Sequence, residues 1–278
     1  GDPRGEFIEL QIGGKHAQAD ALLKQHRAAW EPKLKTPGRF AWSFTRGFPS
    51  QVKANGADLT AAATELIEQV PTLRDAVITR FDLMAEELLQ SPLLKALEGL
   101  ALHYLPQTPP PARETLLREI CDDPRMLGLR RFGISYSYLG TVEWQAIASA
   151  RLMPVLEGLD MALANAKNDV IGPIMLAGRK LRAFNVANGQ VGTAGVQAIA
   201  QTSNVLEELD LSWNRVGLKG AKALADSPYL SGLRVLDLSH CQIGDEGCEA
   251  IANGRLSGLR VLRLDQSRIT AKGALLLG

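Results

Sequence analysis

The pattern Leu-x-x-apolar-x-apolar recurs at Leu129, Leu156, Leu181, Leu206, Leu233 and Leu259, at spacings of 27, 25, 25, 27 and 26 residues. A segment of that length cannot shelter its own apolar face, so successive copies must stack on one another to build a continuous core. Weaker copies begin at Leu97 and Leu73.

Each full copy has two halves. In the first, apolar residues alternate with variable ones (Leu209 and Leu211, Leu236 and Leu238, Leu262 and Leu264), the period of a short strand with one buried face. A small turn residue follows (Gly189, Asn214, Cys241, Ser267), then an apolar plug (Val191, Val216, Ile243, Ile269) and a glycine (Gly195, Gly220, Gly247, Gly273) placed where a helix begins. The second half carries apolar residues at helical offsets, as in Val196, Ile199 and Ala200. A strand, a helix and a return to the next strand give parallel strands with right-handed crossovers. Helices are wider than the spacing between strands, which puts the sheet on the concave side of a horseshoe and the helices on the convex side. The predicted fold is therefore α/β, a right-handed repeat solenoid with a helical N-terminal cap.

Residues 206–225 and 233–252 resemble the ribonuclease-inhibitor type of leucine-rich repeat. That resemblance covers the chain from about Leu129 onward, and it implies a concave sheet that holds a protein partner. Relatives of that type include ribonuclease inhibitors and activators of small GTPases. The copy beginning at Leu156 departs from the pattern, lacking the glycine and the asparagine in register. Residues 106–126 are longer than one repeat, with Pro109, Pro110 and Pro111 ahead of a helix predicted over 112–121.

Residues 1–48 read differently. A helix is predicted from about His16 to Trp30, and Asp2-Pro3-Arg4-Gly5-Glu6-Phe7-Ile8 with Arg46-Gly47-Phe48 resembles the tail of the bacterial repeat-companion domain. The resemblance implies that the natural chain extends further upstream. Physically the segment suits a cap over the exposed end of the stack, with Phe7, Ile8, Leu10, Leu22, Leu23 and Trp30 as its apolar residues. The expected division is thus a cap over 1–48 and a solenoid over 49–278, whose first stacked helix spans 58–70 and whose last expected helix contains Gly278.

Chemistry is harder to find. Gly189, Gly192 and Gly195 imitate a phosphate loop but fall on the turn of the repeat, where counterparts recur. His240 beside Cys241 suggests a thiol with its base, yet Cys241 holds the small turn position while its neighbour points the other way. Cys248 aligns with core positions, and His16, His26 and His103 lie apart without ligand spacing. Catalytic residues, metal ligands and cofactors are accordingly expected to be absent. Cys121, Cys241 and Cys248 form no CxxC pair, the apolar run at 170–178 is too short for a membrane span, and no N-x-Ser/Thr acceptor occurs, which fits a cytoplasmic setting. With 31 basic and 30 acidic residues, net charge +1, the chain has no field for nucleic acid or an acidic membrane.

What remains is binding. The central variable column reads Gly133, Asp160, Asn185, Asp210, Asp237, Arg263, acidic in its middle. Such a column either meets a basic partner or is the ordinary solvated filler of this repeat. Tyr136, Trp213 and His240 share one position after their strands. They serve either as interface anchors or as packing over the rim loops, with Glu208 and Arg131 flanking them. The expected activity is non-catalytic capture of another protein through the concave sheet and rim. The alternatives are a GTPase activator or other enzyme regulator, and an inhibitor or immunity protein for a nuclease or toxin.

Overall fold

A computed structural model describes residues 2–81 and 85–277; Gly1, at the start of the expected cap, and Gly278, in the expected last helix, lie outside the described residues. The chain divides into two compact units, residues 1–102 and 103–278.

The first unit begins with α1 (Pro3–Ile12) and α2 (His16–Trp30), the latter on the bounds expected. Phe7 and Trp30 meet edge to face at 5.5 Å, and Arg4 lies over the Trp30 ring. Besides these helices the segment holds a feature the periodicity did not predict: an antiparallel hairpin of β1 (Ala41–Thr45) and β2 (Phe48–Ala54). Its turn is made by Arg46 and Gly47, both at positive φ, the geometry that lets a two-residue loop follow the strand twist. The expected helix over 58–70 is divided at Ala62 into α3 (Gly56–Ala61) and α4 (Ala63–Gln69). The weaker copies at Leu73 and Leu97 form β3 (Asp75–Ile78) and β4 (Gly99–His103), separated by α5 (Ala85–Gln90), and β2, β3 and β4 pair in parallel.

The second unit is the regular one. It opens with α6 (Pro110–Asp122) and continues with β5 (Arg131–Ser135), α7 (Thr141–Ser149), β6 (Gly158–Asp160), α8 (Lys167–Ala177), β7 (Ala183–Asn185) and α9 (Thr193–Gln201). It closes with β8 (Glu208–Asp210), α10 (Gly217–Ala225), β9 (Val235–Asp237), α11 (Gly244–Ala252), β10 (Val261–Arg263) and α12 (Ala271–Leu275). Strands β5 to β10 pair in parallel in sequence order, and each helix packs against the next. Phe132, Leu159, Phe184, Leu209 and Leu236, all buried, form one continuous row of the core.

The recurring glycine does mark the helix start, and the reason is close packing. A Cβ on Gly195 would sit 2.7 Å from the Val191 side chain, and one on Gly220 would sit 2.7 Å from Val216, so the first helical turn could not close over its plug. Polar side chains join rung to rung. Buried Asn214 accepts from Gly189 N and Val191 N and donates to Val186 O and Leu211 O. Asn168 accepts from Gly192 N and Gly195 N, capping the next helix, and Asp245 does the same for Thr270 N and Oγ1.

In the irregular copy at Leu156 the strand and helix persist, although Pro173 lies inside α8. Leu163, Asn165 and Lys167 there all take positive φ, and Asn165 donates to Leu139 O, so the bridge to the preceding rung is made one residue later than in the regular copies.

Arg113 and Glu143 join α6 to α7 as a buried ion pair. One Glu143 oxygen receives Arg113 Nε and Nη2, at 3.1 and 2.9 Å, and the other caps Gly140 N. Removing one partner leaves the other charge buried alone. Glu143→Ala is expected to cost about 3–5 kcal/mol in urea unfolding, far more than an exposed pair such as Arg118–Glu114.

The Thr270 hydroxyl, then the Thr270 backbone, hold the Asp245 carboxyl below the usual carboxylate range. A folded-state value below the unfolded one gives stability that is present above about pH 4 and lost as pH falls through the folded value. Asp245→Asn keeps one acceptor, as Asn168 shows, and removes the titration. The urea midpoint of the native protein should therefore fall more steeply below pH 4 than that of the variant.

Candidate binding surface

On the face of the sheet away from the helices, two residues of each strand flank the buried one. The register brings Gly133, Asp160, Asn185, Asp210, Asp237 and Arg263 opposite one another on successive strands, so they form the column read from the sequence. The companion column is Arg131, Gly158, Ala183, Glu208, Val235 and Val261. The Arg131 side chain lies across Gly158, where a Cβ would meet its Cγ at 3.1 Å.

The acidic column has a local role that sequence reasoning missed. Each Asp or Asn turns one oxygen back onto the backbone N–H two residues on: Asp160 to Ala162, Asn185 to Ala187, Asp210 to Ser212 and Asp237 to Ser239, at 2.8 to 3.0 Å. This side-chain turn ends the strand and satisfies a donor that the ladder no longer reaches. Asn185 makes the bond as well as its neighbours do, so the cap needs the oxygen but not the charge.

Beyond the caps the chain turns through residues of positive φ: Tyr136, Leu163, Asn188, Trp213, His240 and Gln266, with Tyr104 equivalent to them after β4. Leu163 N donates to Ala187 O, Asn188 N to Ser212 O, Trp213 N to Ser239 O and His240 N to Asp265 O, which lines these residues up along the edge of the sheet. Trp213 and His240 stack with ring centroids 3.5 Å apart and planes 15° apart. Tyr136 stacks on Tyr104 at 5.3 Å and touches His103. The row is therefore two pairs separated by Leu163 and Asn188. Tyr104 was legible as the second residue after Leu102, matching Trp213 after Leu211, but the weak copy at Leu97 hid it.

Trp213 is 59% exposed and packs on His240, so exposure and rim packing occur together at this residue. At the start of the strands runs a second charged row: Arg130 pairs with Glu157, Arg182 with Glu207, and Arg234 lies 3.7 Å from Glu207. Arg263 lies 3.9 Å from Asp237. The cations of this face are thus largely committed.

The three cysteines are free and buried. Burial pushes the Cys121 thiol up to about 12 and the Cys241 thiol up to about 11, and it raises that of Cys248. Cys241 donates to Leu211 O while His240 points outward onto Trp213, so the two do not form a thiol and base. Among the described residues no His, Cys, Asp and Glu gather as metal ligands, and no helix is long and apolar enough to cross a membrane.

A leucine-rich-repeat family model matches residues 202–225 and 232–252. The structure is similar to that of an internalin from Listeria monocytogenes, with 19% identity over 81% of this chain and 56% of that one, at a TM-score of 0.50. This chain has the fold of a leucine-rich-repeat solenoid. It spans just over half the length of the internalin chain. No curated protein sequence matches it.

Trp30, Trp42 and Trp144 are buried, which makes Trp213 the exposed tryptophan of the leucine-rich-repeat sheet edge. Trp213→Phe should remove nearly all iodide-quenchable fluorescence and change stability by less than about 1 kcal/mol. Persistent quenching in the variant would place an exposed indole elsewhere.

Proposed function

We propose that this chain is a non-catalytic scaffold that holds another protein on the open sheet face and its aromatic rim. The observation that carries the reading is the coincidence of two features on one rigid ladder: carboxylates at Asp160, Glu208 and Asp210 without a cationic partner within 4 Å among the described residues, and exposed aromatic pairs at Tyr136 and Trp213. Aromatic anchors fixed by the backbone lose little entropy on binding, and an acidic surface selects a partner of opposite sign. A basic enzyme held inactive on this face is the form of the reading that the acidic column favours. Activation of a GTPase has the repeat type alone behind it and is fold analogy.

We further propose a reducing, cytoplasmic setting, on the strength of three buried, unpaired thiols. We read residues 1–48 as a cap similar to the repeat-companion domain and residues 49–278 as the solenoid. The helices α7 to α11 behind short strands support the ribonuclease-inhibitor type of repeat.

The test is capture from the source cell's lysate with mass spectrometry, comparing the native chain with a triple variant: Trp213→Ala, Asp210→Asn and Asp237→Asn. Asparagine preserves the cap, as Asn185 does, so the melting temperature should hold within a few degrees while capture of the specific partner falls at least about tenfold. Undiminished capture by a folded triple variant removes this surface as the binding site.

A further inference from the structure

Two neighbours frame Trp213 on the turn ladder. On the β9 side His240 covers one face of the indole. On the β7 side stands Asn188, exposed and with no ring to stack on the other face, and Trp213 is 59% exposed beside its stack on His240. One rung further is Leu163, 37% exposed. Rungs are about 4.8 Å apart, so Leu163 and Trp213 stand about 10 Å apart, and beyond the tip of the shorter asparagine side chain that spacing admits one flat group of ordinary ring thickness against the indole. Asp210 ends the strand that leads to Trp213. One of its oxygens is bound by Ser212 N, and it has no cationic partner within 4 Å among the described residues.

We infer that this slot receives an arginine side chain of the protein partner, with the guanidinium stacked on the uncovered face of Trp213, forked onto the second oxygen of Asp210 and bonded to the amide oxygen of Asn188. The inference rests on the scaffold reading above and names the chemistry of its contact. A guanidinium fits where an ammonium does not, because it is planar, stacks on an indole and presents paired donors to a carboxylate. A nucleobase would also stack there, but its phosphates would face Asp210, Asp237 and Glu208, which disfavours nucleic acid.

The test uses the full chain and two fluorescein-labelled probes, Gly-Arg-Gly-Arg-Gly-Arg-Gly and its lysine counterpart, followed by anisotropy and by iodide quenching of unlabelled complexes. The arginine peptide should bind about tenfold more tightly than the lysine peptide and should shield the indole from iodide. Trp213→Ala and Asp210→Asn should each weaken it by about tenfold, and Trp213→Phe should lose less than Trp213→Ala. Equal affinity for the two peptides, unaltered affinity in Trp213→Ala, an indole that stays open to iodide at millimolar peptide, or comparable shielding by oligothymidylate would each overturn the assignment. Partner capture that depends on the triple variant while the two peptides bind alike would sink this contact and leave the scaffold standing. Arginine selectivity at Trp213 with unaltered capture would do the reverse.

Discussion

Each rung of the second unit has an apolar row too wide for its own residues to cover, and this constraint organises everything else. Leu236, with a strand on either side, is fully buried, whereas Leu262 in β10, paired on one side, is half-buried. The same leucine in the same local structure thus gains most of its hydrophobic stabilisation from its neighbours, which couples the rungs. Rung spacing, strand register and the position of every turn are fixed by that demand before any polar group is considered.

Polar groups then adapt to the stack. Strands of three residues end quickly, and the N–H groups beyond them need acceptors. The Asp and Asn column supplies them, with Asn214, Asn168 and Asp245 doing so between rungs. Cys241 stands where Asn214 stands one rung earlier. A buried thiol donating to Leu211 O takes the place of the amide, and the Ser267 hydroxyl reaches back to Cys241 N. Residue identity at the turn is negotiable provided some donor or acceptor crosses the gap.

Much of this was legible because the repeat is nearly exact where it is regular. Leu206, Leu233 and Leu259 set the register, and the register set the column from Gly133 to Arg263 without error. The hairpin of β1 and β2 was not legible, because Trp42 and Phe44 alternate over too few residues to stand out and the Arg46-Gly47 turn carries the information instead. The Arg113–Glu143 pair was invisible for a different reason: its partners lie 30 residues apart on two helices, and only the packed structure brings them within reach. The charge of Asp160 and Asp210 was read as either bait or filler, whereas their oxygens also close a turn.

That cap divides what the fold requires from what it leaves free at the level of single atoms. One carboxylate oxygen is consumed by the backbone, an interaction Asn185 reproduces without charge, so the charge itself is surplus to the fold. The rim shows the same separation. Positive φ at residues as different as Leu163, Asn188, Trp213 and His240 shows that the ladder, not the side chain, dictates the backbone there, at a cost of about 1–2 kcal/mol per residue that the stack absorbs. Any side chain placed at that position is projected from the edge of the sheet by the same geometry. A change of ring, amide or charge at the rim then alters the chemistry the surface exposes while the hydrogen bonds that hold the surface in place stay as they are.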